Sequence, residues 1–187
     1  MLSDKRDTEP ARPERGHCIF PTLTEPIGEP APEAALGGVR VLDLATLFPA
    51  PMVAAMLGDL GADVVKVEPP AGDPLRVTGA MRGDRTFVWA LADRNKRALS
   101  VDFDSADGVA VVQRLTAVAD VVVLNQPRRV LERWGCTYDE IAARNPGAIV
   151  VLVTGFGIDG PNAERPGNQN KRRSLSVLIE RDHCPIF

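Results

Sequence analysis

Basic side chains lie in two groups along this chain, and their spacing suits the binding of a phosphorylated ligand. Arg94, Lys96 and Arg97 come just before a strand-like segment, whereas Arg129 and Arg133 have the spacing that places two residues on one face of a helix. Guanidinium and ammonium groups bind phosphate through charge-assisted hydrogen bonds, and arginine can make paired contacts. The alternative is that Arg128, Arg129 and Arg133 form a solvated helix face that pairs with Glu132 and other acids, and composition alone favours it.

Alternating strand and helix patterns surround these basic groups. Apolar runs predict strands at 39–44, 63–68, 98–103, 120–124 and 148–153. Helices are predicted over 50–60 and 105–118, and a third begins at a capping box that opens with Thr137. Strands without polar alternation belong to a sheet that is covered on both faces. The sequence therefore predicts an α/β fold, a doubly wound, Rossmann-like parallel sheet with helices on both faces.

Ligands of such a sheet bind beyond the carboxyl ends of its strands. Those ends fall at 45–49, 68–72, 125–129 and 154–157. No Gly-x-Gly-x-x-Gly follows the first strand, and the short Gly155-Phe-Gly157 comes after the last one. An unrelated dinucleotide-binding domain, such as a dehydrogenase module, is one alternative, and the missing glycine motif argues against it.

Composition excludes several kinds of partner. The 187 residues carry a net charge of -3, which gives no global attraction for nucleic acid or an anionic membrane. The longest apolar run, Ala148–Val153, is far shorter than the ~20 residues of a membrane helix. Three widely spaced cysteines match neither a disulfide framework nor a zinc site. We therefore expect a cytoplasmic protein that binds no metal, no nucleic acid and no membrane.

Five segments, taken in their order and spacing, resemble a known enzyme family. They are Val41–Leu44, Gly61–Glu68, Gly72–Arg76, Arg94–Arg97 and Thr154–Gly167. The set resembles the class III (CaiB/BaiF) CoA-transferases, which include formyl-CoA and carnitine CoA-transferases and alpha-methylacyl-CoA racemases. The resemblance covers residues 37–167 and implies the N-terminal α/β domain of that family. It also implies a small-molecule partner, coenzyme A or an acyl-CoA, which serves as substrate without a metal.

The resemblance also implies which residues hold coenzyme A. The matching positions are Leu47, Phe48, Pro49, Asn95, Lys96, Asn125 and Arg133. The chain departs from the family pattern at Pro69, where several transferases have a basic residue. It departs again at Arg128, where glycine is usual.

The catalytic position departs further. In the family, an aspartate two residues after the Pro-Gly pair attacks the acyl-CoA, and the racemase branch has a histidine just before it. Here Gln169 occupies the aspartate position and Asn168 the histidine position. A side-chain amide is neither a nucleophile nor a base at neutral pH, so we predict no catalytic residue. The nearby carboxylates, Asp159 and Glu164, are not expected to replace it.

The two ends of the chain differ in amino-acid composition from residues 37–167. The proline-rich stretch 1–36 is expected to be a disordered tail, and 168–187 a divergent basic tail. We therefore expect a truncated or frame-shifted family member that is catalytically inactive as given. The alternative is a non-catalytic protein that binds CoA or acyl-CoA or serves as a partner subunit. The interlocked homodimer of the family needs a second domain, so we do not carry it over to this chain.

Overall fold

The computed structural model describes residues 34–158, 161–163 and 176–180. The strands are β1 (Arg40–Asp43), β2 (Asp63–Glu68), β3 (Met81–Arg82), β4 (Arg85–Thr86), β5 (Lys96–Ser100), β6 (Val121–Leu124), β7 (Ile149–Thr154) and β8 (Ser176–Glu180). The helices are α1 (Pro49–Asp59), α2 (Phe87–Ala92), α3 (Ala106–Thr116), α4 (Arg128–Trp134) and α5 (Tyr138–Arg144), with a 3₁₀ turn at Pro74–Arg76. Within these ranges, no helix combines the length and apolar character needed to cross a membrane.

Six strands form the main sheet, in the order β5-β2-β1-β6-β7-β8. All neighbours pair in parallel except β8, which runs antiparallel to β7. The predicted α/β fold with a parallel sheet is confirmed. No strand is predicted from the sequence beyond Gly167, so β8 is an additional element.

Apolar side chains cover both faces of this sheet. On one face, Leu42, Val122 and Val150 pack with residues of α3, α4 and α5, and Phe103 stacks on Trp134 with ring centroids 4.3 Å apart. On the other face, a second apolar cluster joins small residues of α1 to β1, β2, β6 and β7. Because both faces are covered, a ligand can reach the sheet only at its edges and strand ends.

Local signals set several element boundaries. Thr137 and Glu140 form the expected capping box at the start of α5, and the Ser105 hydroxyl accepts a hydrogen bond from Gly108 N at the start of α3. β5 begins at Lys96, two residues before the predicted strand. The short helix α2 was not predicted, although Thr86 caps it by accepting from Trp89 N. The predicted tails, 1–36 and 168–187, lie outside the described residues except at 34–36, where Leu36 N donates to Leu60 O at 2.9 Å, and at 176–180, which forms β8.

Candidate ligand-binding site

The strand order creates a crevice between the loops that follow β1 and β6. From β1 the chain moves outward to β2 and β5 on one side, and β6 and β7 lie on the other. At such a switch point the two loops diverge and leave room for a ligand at the carboxyl ends of the strands. The β1 loop runs from 44 to 48 and the β6 loop from 125 to 127.

Asn125 fastens these two loops together. Its Oδ1 accepts from Thr46 N at 2.9 Å, and its Nδ2 donates to Thr46 O at 2.7 Å. The neighbouring Gln126 Nε2 donates to Leu44 O at 3.3 Å. Asn125 therefore shapes the crevice, and it does so from a position that the sequence analysis assigned to coenzyme A.

Leu47 has an unusual conformation at the crevice. Its φ is 62°, in the left-handed region, and 43% of the residue is exposed. A leucine in this region costs on the order of 1 kcal/mol or more and persists only when its surroundings hold it there. Phe48 and Pro49 follow directly and are half-buried at the start of α1. The structure thus brings together four of the predicted site residues: Leu47, Phe48, Pro49 and Asn125.

Lys96 does not reach the crevice surface. Only 1% of its side chain is exposed, and its Nζ donates to Asp43 Oδ2 at 2.8 Å, Asp93 Oδ1 at 3.0 Å and Pro51 O at 2.8 Å. An ammonium group has three protons, and these three bonds use them all. Lys96 is therefore engaged inside the protein in this structure, whereas its contact with coenzyme A is a prediction from the family resemblance.

Asn95 lies at the opposite edge of the sheet. It precedes β5, is exposed, has a φ of 58°, and donates from Nδ2 to Asp59 Oδ1 at 2.8 Å. Arg94 also bonds to Asp59, at the end of α1. Asn95 therefore shapes a turn at the amino edge. Asn95 and Leu47 thus lie at opposite ends of the strands, and the contact of Asn95 with coenzyme A stays a prediction from the family resemblance.

Arg133 lines an open groove between α3 and α4. The groove has a volume of about 550 Å³ and is lined by Phe103, Asp104, Ser105, Ala106, Val109, Ala110, Gln113 and Arg133. The Arg133 side chain is 58% exposed and lies 3.2 Å from Asp104 Oδ1. At the start of α4, Arg128 Nε donates to Glu132 Oε1 at 3.0 Å. The solvated-face interpretation thus describes Arg128, while Arg133 also borders a space that a ligand could enter.

A buried ion network lies beneath the crevice, and it was not predicted from the sequence. Its five members have side chains at most 2% exposed: Asp43, Lys66, Asp73, Asp93 and Lys96. Lys66 Nζ lies 3.1 Å from Asp73 Oδ2 and 3.8 Å from Asp43 Oδ2. Burial raises the pKa of Asp93, and the lysines offset only part of that effect. The available signal was Lys66 itself, a charged residue between valines in the middle of β2.

The loop after β2 is braced by a second set of contacts. Glu68 Oε2 accepts from Asp73 N at 2.9 Å and from Arg76 Nε at 2.8 Å. The Arg76 guanidinium in turn lies 3.9 Å from the centre of the Trp89 ring. Burial opposes ionisation of Glu68, but the bonds from Arg76 and Asp73 outweigh it and lower the pKa of Glu68. In the described ranges, no group of three or more His, Cys, Asp or Glu side chains is placed to hold a metal.

Comparison with known proteins identifies the family. The model of CoA-transferase family III matches residues 36–181. The chain belongs to this family. The resemblance noted from the five segments is therefore confirmed, and the match continues past Gly167 through β8.

Individual relatives agree with the family match. The succinyl-CoA–D-citramalate CoA-transferase of Chloroflexus aurantiacus is 41% identical over 138 residues, which is 73% of this chain and 34% of that protein. The beta subunit of the succinyl-CoA–L-malate CoA-transferase of the same organism is 43% identical over 135 residues, covering 71% and 33%. A crystal structure of a CaiB/BaiF family protein from Brucella suis superposes with a TM-score of 0.67 at 39% identity, covering 72% and 37%.

The chain spans about a third of the length of the curated family III relatives it matches. The positions assigned to the family nucleophile and to the racemase histidine, Gln169 and Asn168, lie outside the described residues. The described residues contain the sheet, the crevice and the groove, but not these two positions.

Proposed function

We propose that this chain binds coenzyme A or an acyl-CoA at the carboxyl edge of its sheet, as the CoA-binding part of a family III fold. The observation that carries the proposal is the strained, exposed Leu47, which Asn125 holds at the switch point through both hydrogen bonds to Thr46. Backbone strain of this kind concentrates at ligand sites. The family supplies the ligand class, since the relatives are named as CoA-transferases.

The crevice residues and Arg133 take different parts in this proposal. Leu47, Phe48 and Pro49 form an apolar wall, while Asn125 holds that wall in place. Arg133 supplies positive charge for a phosphate in the α3–α4 groove. Its pair with Asp104 is exposed and contributes little stability, so an anionic ligand can displace it. Asn95 and Lys96 act indirectly, through the turn and the network that contain them.

Calorimetry with coenzyme A tests the site. Arg133→Ala should weaken binding by about 1–3 kcal/mol, the range for a lost hydrogen bond to a charged group. Arg40→Ala is a matched control, because Arg40 is a similarly exposed arginine, 56% exposed, that pairs with Asp120 at 2.9 Å at the amino edge. Equal affinity in the parent and both variants would contradict the proposed role of Arg133.

We further propose that the chain does not transfer CoA by itself. The support is Gln169 in the position that the family resemblance assigns to the nucleophile, because an amide cannot form the acyl intermediate. The assay is transfer of CoA from succinyl-CoA to an acid acceptor, with hydroxylamine trapping of an enzyme-bound acyl or thioester adduct. We expect neither turnover nor adduct. Turnover or a trapped adduct on the unmodified chain would show that the nucleophile lies elsewhere. Asp159 and Glu164 would then be the first positions to test.

A second candidate is a partner subunit that contributes a CoA site to a larger assembly. The observation that favours it is a pair of exposed apolar side chains on one face of α2, Phe87 and Leu91, next to α1. One relative is itself named as a beta subunit. Size-exclusion chromatography with a full-length family III protein should give a mixed complex if this role holds. Separate elution of the two proteins would exclude it.

A further inference from the structure

The buried ion network contacts the crevice loop at its second residue, Ala45. Lys66 Nζ donates to Ala45 O, and Ala45 N donates to Asp43 Oδ1 at 3.0 Å. Both polar groups of the Ala45 backbone are therefore bound by charged side chains of the network. Two residues later the chain reaches Leu47 and its left-handed conformation.

The same network contacts the far end of the loop. Lys96 Nζ donates to Pro51 O in the first turn of α1, and it also binds Asp43 Oδ2. Asp43 thus joins the two lysines that hold the loop at Ala45 and at Pro51. The segment between these two anchors contains Leu47, Phe48 and Pro49.

Stability does not account for a network of this composition. Three carboxylates face two ammonium groups, and Asp93 Oδ2 is buried without a hydrogen-bond partner among the described residues. Buried ion pairs often add no stability over apolar side chains of similar volume, whereas a buried charge that lacks compensation is costly. Apolar side chains of similar volume can often replace a buried ion pair, but they could not bind the carbonyl and amide groups of the loop.

We infer that Lys66 and Lys96 are positioning residues, which hold the loop from Ala45 to Pro51 in the shape that the ligand requires. The inference rests on the proposed function, because it takes coenzyme A as the ligand. Charge-assisted bonds to backbone groups suit this task, since they are short and directional. Neither lysine touches the ligand, so their effect passes through the loop.

A charge-matched pair of substitutions tests this role. The double variant Lys66→Met with Asp73→Asn removes one cation and one anion at the same time. The asparagine can still accept a hydrogen bond from Leu75 N, as Asp73 does. Hydrogen exchange is compared between the loop amides at 45–48 and the amides of β7. We expect loop exchange to accelerate at least about tenfold relative to β7, and the affinity for coenzyme A to fall by a similar factor. Arg40→Met serves as the control, with no selective change in the loop.

Other outcomes decide against the inference. Uniform acceleration in the loop and β7 would show a merely structural role and overturn it. If that variant does not fold, Lys96→Met with Asp93→Asn gives a second charge-matched test, in which the first turn of α1 should exchange selectively faster. Rapid exchange of the Ala45 amide in the parent protein would also overturn the inference. A parent that does not bind coenzyme A refutes the proposed function alone, because the exchange data still report on the loop.

Discussion

The buried ion network and the arginines of α4 contain the same kinds of ion pair, yet they have opposite roles. In the network, Lys66 and Lys96 are enclosed and their contacts are fixed by the strands and loops around them. On α4, the Arg133 side chain is 58% exposed and faces a groove, with Asp104 as an exposed partner. Burial, and not charge or spacing, separates a cation that organises a site from one that can exchange its partner for a ligand.

The largest expected effect is on the buried side of this comparison. Lys66→Met alone should lower the free energy of unfolding by about 3–5 kcal/mol, because it leaves buried carboxylates without compensation. Urea denaturation of the parent and the variant measures the difference. The added substitution Asp73→Asn should recover part of the loss. A loss below about 1 kcal/mol would show that Lys66 contributes no more than a surface ion pair does, and the buried network would then not differ in energy from the exposed pair on α4.

The next effect depends on pH and concerns Asp93. Its pKa is raised above the ordinary 3.8, so its contribution to stability is greatest below that value and is lost as the pH rises through the folded-state pKa. The groups that face it are Lys96, Lys66 and Asp43. As the pH falls, the free energy of unfolding of the parent should therefore increase relative to that of Asp93→Asn. The total change should be about 1.4 kcal/mol for each unit by which the folded-state pKa exceeds the ordinary value. Urea titrations from neutral pH downwards measure it, and a difference that is independent of pH would refute it.

The smallest effect on stability belongs to the exposed pair. Asp104→Asn should change the free energy of unfolding by less than about 1 kcal/mol, because an exposed ion pair contributes little. The same substitution removes a competitor for Arg133, so the affinity for coenzyme A should increase. Calorimetry on Asp104→Asn and on the double variant with Arg133→Ala distinguishes the cause. An increase that persists in the double variant would show that Asp104 acts by general repulsion, not through Arg133.

The sequence predicted the parts of this fold that depend on local signals. The buried strands β1, β2, β6 and β7, and the capping box at Thr137, follow from apolar runs and hydrogen-bonding side chains that lie close together in sequence. The helix α2 was missed because its signal is short, six residues that begin at the Thr86 cap. β8 was missed because its pairing with β7 depends on contacts between distant segments.

The candidate site was predictable only in part. Leu47, Phe48 and Pro49 follow a strand directly, so strand-end reasoning places them at the crevice. Asn95 and Lys96 are adjacent in sequence, but one remains at the amino edge and the other extends inward to Asp43. No sequence spacing shows where a long side chain ends. The contacts that join Lys66 to Ala45 O and Lys96 to Pro51 O become visible only once the strands are side by side.

The two border strands of the sheet pair with their neighbours in different directions, β5 in parallel and β8 antiparallel. The outer side of β7 is covered by the antiparallel β8, so β5 and β8 are the two border strands of the described sheet. Within the described ranges, β5 pairs on one side only, with β2. Its exposed Arg97, which binds Asp63 at 2.6 Å, puts a charge on that border. A charged side chain on an edge strand disfavours the addition of a strand from another chain, so Arg97 protects the β5 border.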